Sequence, residues 1–270
     1  MIQEINSLTK EEIVEAAIKL NSAEKNRKQI PTFTSSHPVL TMDDAYRIQD
    51  KWIDIKVSSG SKVIGHKIGL TSKVMQEAFG IDEPDFGVLL DEMLYSSGSV
   101  LKRELFIEPR IEVELAFVLK SDIDPHNISH NSILNATEKI IPAMELIDFR
   151  TRGDDTEHAR TVFDTISDNA ANGAIIIGDA EIPHDHQLQR IKASLLKNDE
   201  EVATGETSAI LGHPLNSVIW LAKKYTSYER ILKAGQIILA GSFIAPIPVN
   251  SGDHFAADFG EFGKVTCAFE

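Results

Sequence analysis

The segment Pro109-Arg110-Ile111-Glu112-Val113-Glu114-Leu115-Ala116-Phe117-Val118 constrains the fold of this chain more than any other. Side chains on a strand alternate, so Ile111, Val113, Leu115 and Phe117 share one face, and Glu112 and Glu114 share the other. The glutamate face runs on into Ala116 and Val118, which carries it into a core. Two carboxylates entering a core need a cation or a proton to offset them. A second apolar stretch, Ile140 to Asp148, holds Glu145 between Met144 and Leu146. Three glutamates offer an all-oxygen ligand set of the kind that suits Mg²⁺, Mn²⁺ or Ca²⁺ rather than zinc. They leave room for water or a chelating substrate, as a Lewis-acid site requires.

The rest of the chain supports a β-rich core entered from a helical beginning. Thr9-Lys10-Glu11-Glu12 and Thr41-Met42-Asp43-Asp44 have the form of capping boxes. Val14, Ala16, Ala17 and Ile18 give the first helix an apolar side, and Ala45, Ile48, Trp52 and Ile55 follow helical spacing in the second. Ser58-Ser59-Gly60-Ser61 closes that helix and marks a boundary, giving a helical region 1–61 and a second region 62–270. Beyond it, short strands are expected at Lys62 to Gly69, Ile111 to Leu119, Ile140 to Ile147, Ala174 to Gly178, Ile191 to Leu196, Gln236 to Ala240 and Gly263 to Phe269. Asn198-Asp199 reads as a hairpin tip, and Pro214 opens a helix reaching Tyr225. These strands do not alternate with long helices, which argues against a doubly wound sheet or an eight-fold β/α barrel. The expected class is α+β, with a mixed, curved sheet.

A formal charge of −14 sets this chain against phosphate backbones and anionic membranes, so neither nucleic acid nor membrane is an expected partner. The single Cys267 lies in the last apolar stretch, where a buried inert thiol is expected. No basic flank followed by an apolar run opens the chain, and a cytoplasmic protein is expected.

Other residues offer chemistry with less specificity. Lys67 sits amid apolar strand residues and can serve as acid, base or anion ligand, and a helix expected from Ser72 offers free N–H groups beside it. Asp85, in Pro84-Asp85-Phe86-Gly87, reads as a turn residue. Phe163 to Gly173 reads as a capped turn, and His184-Asp185-His186 as a polar loop without zinc spacing.

Five motifs in order, Gly65 to Ser72, Glu83 to Gly87, Pro109 to Glu114, Pro142 to Glu145 and Gly212 to Asn216, resemble the hydratase and decarboxylase branch of the fumarylacetoacetate hydrolase superfamily. The run Thr161 to Asn172 points the same way. The resemblance implies a mixed β-roll with a small helical N-terminal part, assembled as a homo-oligomer. It implies Mg²⁺ or Mn²⁺ held by Glu112, Glu114 and Glu145, with Lys67 and Asp85 as catalytic groups. Ser72, Ser167 and Asp168 are implied to lie near the substrate. The implied reaction adds water to 2-oxohept-4-ene-1,7-dioate, or its 2-hydroxydienedioate tautomer, in aromatic-compound breakdown. The second carboxylate of such a substrate needs its own cation, for which His66, Arg110, Arg150, Arg152 and Arg160 are the candidates. Hydration of a 2-oxo-4-pentenoate, decarboxylation of a 4-oxalocrotonate, and a metal-stabilised subunit supporting a partner enzyme are the alternative readings.

Overall fold

The computed structural model describes residues 8–73, 76–77, 80–153 and 159–270. Both expected capping boxes form. Thr9 accepts the Glu12 N–H and the Glu12 carboxylate accepts the Thr9 N–H at 2.8 Å, opening α1 (Lys10–Asn26). A short α2 (Phe33–Ser36) follows, and Thr41 and Asp44 open α3 (Met42–Ser58) in the same reciprocal way. α1 buries Ile13, Ala16, Ala17 and Leu20 against Ile48 and Trp52 of α3. The expected apolar side of α1 was displaced, because Val14 and Ile18 are 37% and 52% exposed. Ile13, Ala16, Ala17 and Leu20 keep the i, i+3, i+4, i+7 spacing of one narrow stripe, whereas Val14 and Ile18, themselves four apart, lie together on one flank of it. Ala45 and Tyr46 of α3 reach a second, larger core beneath the sheet.

Fifteen strands follow among the described residues. They are β1 (Ile30–Pro31), β2 (Val63–Gly69), β3 (Asp85–Leu90), β4 (Leu94–Ser96), β5 (Ser99–Leu101), β6 (Arg110–Leu119), β7 (Thr137–Ile147) and β8 (Thr151–Arg152). The rest are β9 (Asn172–Ile177), β10 (Lys192–Lys197), β11 (Glu200–Glu206), β12 (Ile237–Leu239), β13 (Ile247–Pro248), β14 (His254–Asp258) and β15 (Lys264–Phe269). The larger sheet runs β3-β2-β12-β6-β7-β9-β4, with β13 added to β6; the smaller runs β11-β10-β14-β15-β5. The first mixes the two pairings: β12 runs parallel to β2 and β4 parallel to β9, while the other neighbouring pairs are antiparallel. This is the mixed sheet expected from the sequence. Asn198 and Asp199 form the β10–β11 hairpin tip with φ of 53° and 67°. Among the described residues, helices α4 (His130–Ala136), α5 (Val162–Ser167) and α6 (Pro214–Ser227) complete the fold, α6 with Pro214 in its first turn. The helix expected after Ser72 falls partly outside the described residues.

The strands β1, β3, β4, β5, β8, β11, β13 and β14 are not among those expected from the sequence. β3 is the consequential one, because Asp85 is its first residue and pairs with Gly69 rather than sitting in a turn. Pairing with β2 overrides the local turn preference of Pro84-Asp85-Phe86-Gly87. Cys267 is buried in β15, where burial alone pushes its thiol up to about 12, leaving it inert at neutral pH. Among the described residues, no helix is long and apolar enough to cross a membrane.

Candidate active site

Strand parity assembles the site on one face of the larger sheet. Glu112 lies directly opposite Glu145 in the β6–β7 ladder, and Glu114 lies opposite Ala143. Leu239 of β12 pairs with both Ala116 and Lys67, which puts Lys67 on the glutamate face. Lys67 in turn opposes Gly87, and Gly69 opposes Asp85. The glycines make the room: a Cβ at Gly69 would lie 2.2 Å from Asp85 Oδ1, and one at Gly87 would lie 2.5 Å from the Asn169 carbonyl. Behind the sheet, Ile111, Val113, Leu115 and Phe117 enter the main core, as their alternation predicts.

Glu112, Glu114 and Glu145 each offer an oxygen within 4.8 Å of the others. Lys67 Nζ donates to the Ala170 carbonyl at 2.9 Å and lies 3.2 Å from Glu145 Oε1. Asn172 Nδ2 donates to the same Glu145 oxygen at 3.0 Å. The Gly241 N–H donates to Glu114 Oε2 at 2.8 Å. Glu145 Oε2 and both oxygens of Asp85 are buried without a hydrogen-bond partner. Burial lifts Glu112 to about 8 and Glu114 well above the carboxylate range, with Glu145 adding to both. Burial also raises Asp85, against the pull of Lys67. Burial opposes the charge on Lys67 too, but Glu145, Asp85, Glu112 and Glu114 outweigh it and raise its pKa. One ammonium thus faces four carboxyl groups. The donor set is all oxygen, one buried oxygen is orphaned, and negative charge is in excess, so these residues fit a divalent cation.

A cleft of about 320 Å³ opens on this face, lined by Lys67, Asp85, Glu112, Arg110, Arg160 and Phe149 among others. A second lobe of about 420 Å³ adjoins it through Gly69, Leu70, Glu112 and Pro246, and reaches Ser72 and Glu114. Arg160 stacks on Phe149, its Cζ 3.5 Å from the ring centroid, and burial lowers its pKa to about 10. It therefore stays charged at neutral pH.

Several residues singled out from the sequence lie elsewhere. His66 points to the opposite face, where Nδ1 meets the Tyr225 hydroxyl at 2.8 Å, and burial drops its pKa to about 3. A neutral imidazole behind the sheet cannot clamp a carboxylate in the cleft. Arg150 is 1% exposed and spent on Asp168, with Nε 2.6 Å from Oδ1, Nη2 on the Asp168 carbonyl and Nη1 on the Asn172 carbonyl. Ser167 donates back to the Phe163 carbonyl within α5. None of these three lines the cleft; Ser72, Arg110 and Arg160 do. Part of the segment before Arg160 lies outside the described residues.

The expected capped turn at Phe163 to Gly173 proves to be a device of its own. Asn169, Ala170 and Ala171 take φ of 53°, 49° and 59°, three successive left-handed residues, of which the two alanines each cost about 1–2 kcal/mol. Asn169 holds its end by mimicking a strand, accepting the Val88 N–H at 2.7 Å and donating to the Val88 carbonyl at 2.9 Å. The Ala171 carbonyl accepts the Asp148 N–H at 2.7 Å. The arch presents the Ala170 carbonyl to Lys67. Small residues in Asn-Ala-Ala-Asn-Gly were its only trace in the sequence.

The sequence profile of the family described as fumarylacetoacetate (FAA) hydrolase C-terminal matches residues 66–270. The chain is 46% identical over 256 residues to the 2-oxo-hept-4-ene-1,7-dioate hydratase of Escherichia coli, covering 94% of this chain and 96% of that protein. It is 34% identical over 264 residues to the 2-keto-4-pentenoate hydratase of Paraburkholderia xenovorans (strain LB400), covering 97% of each. The structure of 4-oxalocrotonate decarboxylase from Pseudomonas putida G7, complexed with magnesium and adipate, matches with a TM-score of 0.92 at 29% identity, covering 98% of this chain and 99% of that one.

Proposed function

The chain belongs to the fumarylacetoacetate hydrolase family, and from that premise we propose that it hydrates 2-oxohept-4-ene-1,7-dioate, or its 2-hydroxydienedioate tautomer, to 4-hydroxy-2-oxoheptanedioate. The observation that carries this reading is one cleft lined by Lys67, Asp85 and Glu112 together with two arginines, Arg110 and Arg160. Glu112, Glu114 and Glu145 would hold Mg²⁺ or Mn²⁺. When bound, such a cation supplies Lewis acidity toward a chelating 2-oxo acid and relieves the excess of negative charge.

The chain's own groups divide the remaining work. Lys67, kept cationic by its carboxylate neighbours, donates a hydrogen bond from Nζ to substrate oxygen as negative charge develops there. Asp85, buried without a hydrogen-bond partner and raised above its ordinary carboxylate value by that burial, is suited to take up and return a proton. The dienol loses its 2-hydroxyl proton and gains one at C5, which leaves a 3-ene conjugated with the new ketone. Water then adds its oxygen at C4, and C3 takes the proton. We assign these proton transfers to Asp85, with Lys67 orienting the oxygen end. Arg110 and Arg160 bind the distal carboxylate, a role for which His66 and Arg150 are misplaced. The reading includes a homo-oligomer in the cytoplasm, to be checked by light scattering and cell fractionation.

Incubating the protein with Mg²⁺ and 2-hydroxyhepta-2,4-dienedioate tests the assignment. Loss of dienol absorbance with 4-hydroxy-2-oxoheptanedioate as product supports it. Release of CO₂ would favour decarboxylation instead, and no turnover of either kind would remove the catalytic reading.

A further inference from the structure

We infer that Asn172 is a positioning residue that makes Glu145 a one-oxygen metal ligand, and that the buried Arg150–Asp168 pair acts through it. The inference rests on the cation site proposed above. Its first support is the ladder between β7 and β9. Glu145 pairs with Ile175 and Leu146 with Ala174, but Ile147 pairs with Asn172, so Gly173 is an extra residue in β9. Without that bulge, Asn172 would sit out of phase with Ile175 and turn its side chain away from Glu145. The bulge reverses the parity and brings Asn172 onto the carboxylate face. Gly173 permits it, because a Cβ there would stand 2.9 Å from the Leu146 carbonyl and 3.1 Å from Asp148 Cβ.

The hydrogen bonds then sort the two oxygens of Glu145. Oε1 receives Asn172 Nδ2 at 3.0 Å and lies 3.2 Å from Lys67 Nζ. Oε2 is buried and receives no hydrogen bond from a fixed donor such as an amide or ammonium, its neighbours being carboxyl groups. Oε1 is saturated by donors, so Oε2 is the atom left to face a cation. Asn172 is itself held by its backbone: Arg150 Nη1 donates to its carbonyl at 2.8 Å while Arg150 Nε grips Asp168 at 2.6 Å. Arg150 and Asp168, which the sequence suggested for the substrate, thus serve the metal ligand from behind.

Mn²⁺ binding by Asn172→Ala, measured as free Mn²⁺ by electron paramagnetic resonance, tests this. Near-UV circular dichroism and the unfolding midpoint in EDTA verify the fold. The expected result is a Kd raised about 10- to 100-fold, with most of kcat regained at saturating Mn²⁺, because Asn172 is fully buried and lines neither lobe of the cleft. An unchanged Kd beside normal wild-type binding overturns the positioning role alone. A lost kcat with unchanged Kd does the same and makes Asn172 a substrate contact. Failure of the wild type to bind Mn²⁺ saturably would overturn the cation site itself, and this inference with it. Asn172→Ser, too short to reach Glu145, carries the same test if the alanine variant does not fold.

Discussion

Replacing Glu112 with glutamine should strengthen the metal-free protein while weakening its response to metal. Burial and Glu145 hold the Glu112 carboxyl at about 8 in the fold, against an ordinary value of 4.5. The folded state therefore binds this proton more tightly than the unfolded chain, so the carboxyl costs no stability at low pH. Its cost grows as pH rises from 4.5 toward 8. Integrated to pH 7, that difference is at most about 3 kcal/mol; at pH 5 it is under about 1 kcal/mol. These are ceilings, because Glu112 is only half-buried and solvent softens the penalty. A neutral glutamine of the same shape removes the cost. With metal the order reverses, since a cation at 100 times its Kd adds about 2.7 kcal/mol to a chain with all its ligands. Losing one ligand should remove most of that gain. Urea unfolding at pH 5 and pH 7.5, in EDTA and in Mn²⁺, reads all four cases. A variant less stable than wild type in EDTA at pH 7.5, or one that gains as much from Mn²⁺, would refute the reasoning.

Other perturbations separate the remaining roles. Gly69→Ala places a methyl 2.2 Å from Asp85 Oδ1 and 3.3 Å from Lys67 Nζ. We expect kcat to fall about 10-fold or more by displacing Asp85, with Mn²⁺ affinity unchanged; a wild-type kcat would deny Asp85 its part. Arg160→Ala should raise KM for the seven-carbon dioate about 10-fold or more, yet leave 2-hydroxypenta-2,4-dienoate nearly untouched, which steady-state kinetics compares directly. Burial depresses His66 to about 3, so it should stay neutral from pH 5 to 8 in proton NMR titration. Because its folded value lies below the ordinary 6.5, its share of stability is present above that pH and lost as pH falls toward 3. A His66 midpoint near neutrality would contradict its burial against Tyr225.

The glutamate cluster proposed to hold the metal is the most legible part of this chain, for a local reason. Glu112 and Glu114 declare their shared face through period-two alternation, and Glu145 declares itself by standing among Met144 and Leu146. The same rule, applied to His66 and Lys67, places neighbours on opposite faces, and it separates the residue in the cleft from the one against α6. Asp85 reads as a turn residue in the sequence because its turn chemistry is local, while its pairing with Gly69 in the β2–β3 ladder is long-range. Arg150 looked like a substrate cation because Asp168, its partner, lies eighteen residues away across the arch. Asn172 was hidden more deeply, since a single inserted residue reverses which way it faces and only Gly173 hints at it. The N-terminal helices were placed correctly, but which side of α1 is buried depends on packing with Trp52 and Ile48.

In the order β3-β2-β12-β6-β7, the two jobs proposed for the site fall to two separate antiparallel strand pairs. β6 and β7 carry the three carboxylates, β2 and β3 carry Lys67 and Asp85, and β12 is wedged between them from the far end of the chain. On the proposed assignment, grip on the keto acid and handling of its protons lie on different strands, joined at the 3.2 Å contact between Lys67 and Glu145. A redesign seeking a different fate for the same bound anion should leave the β6–β7 pair alone and work along β2 and β3.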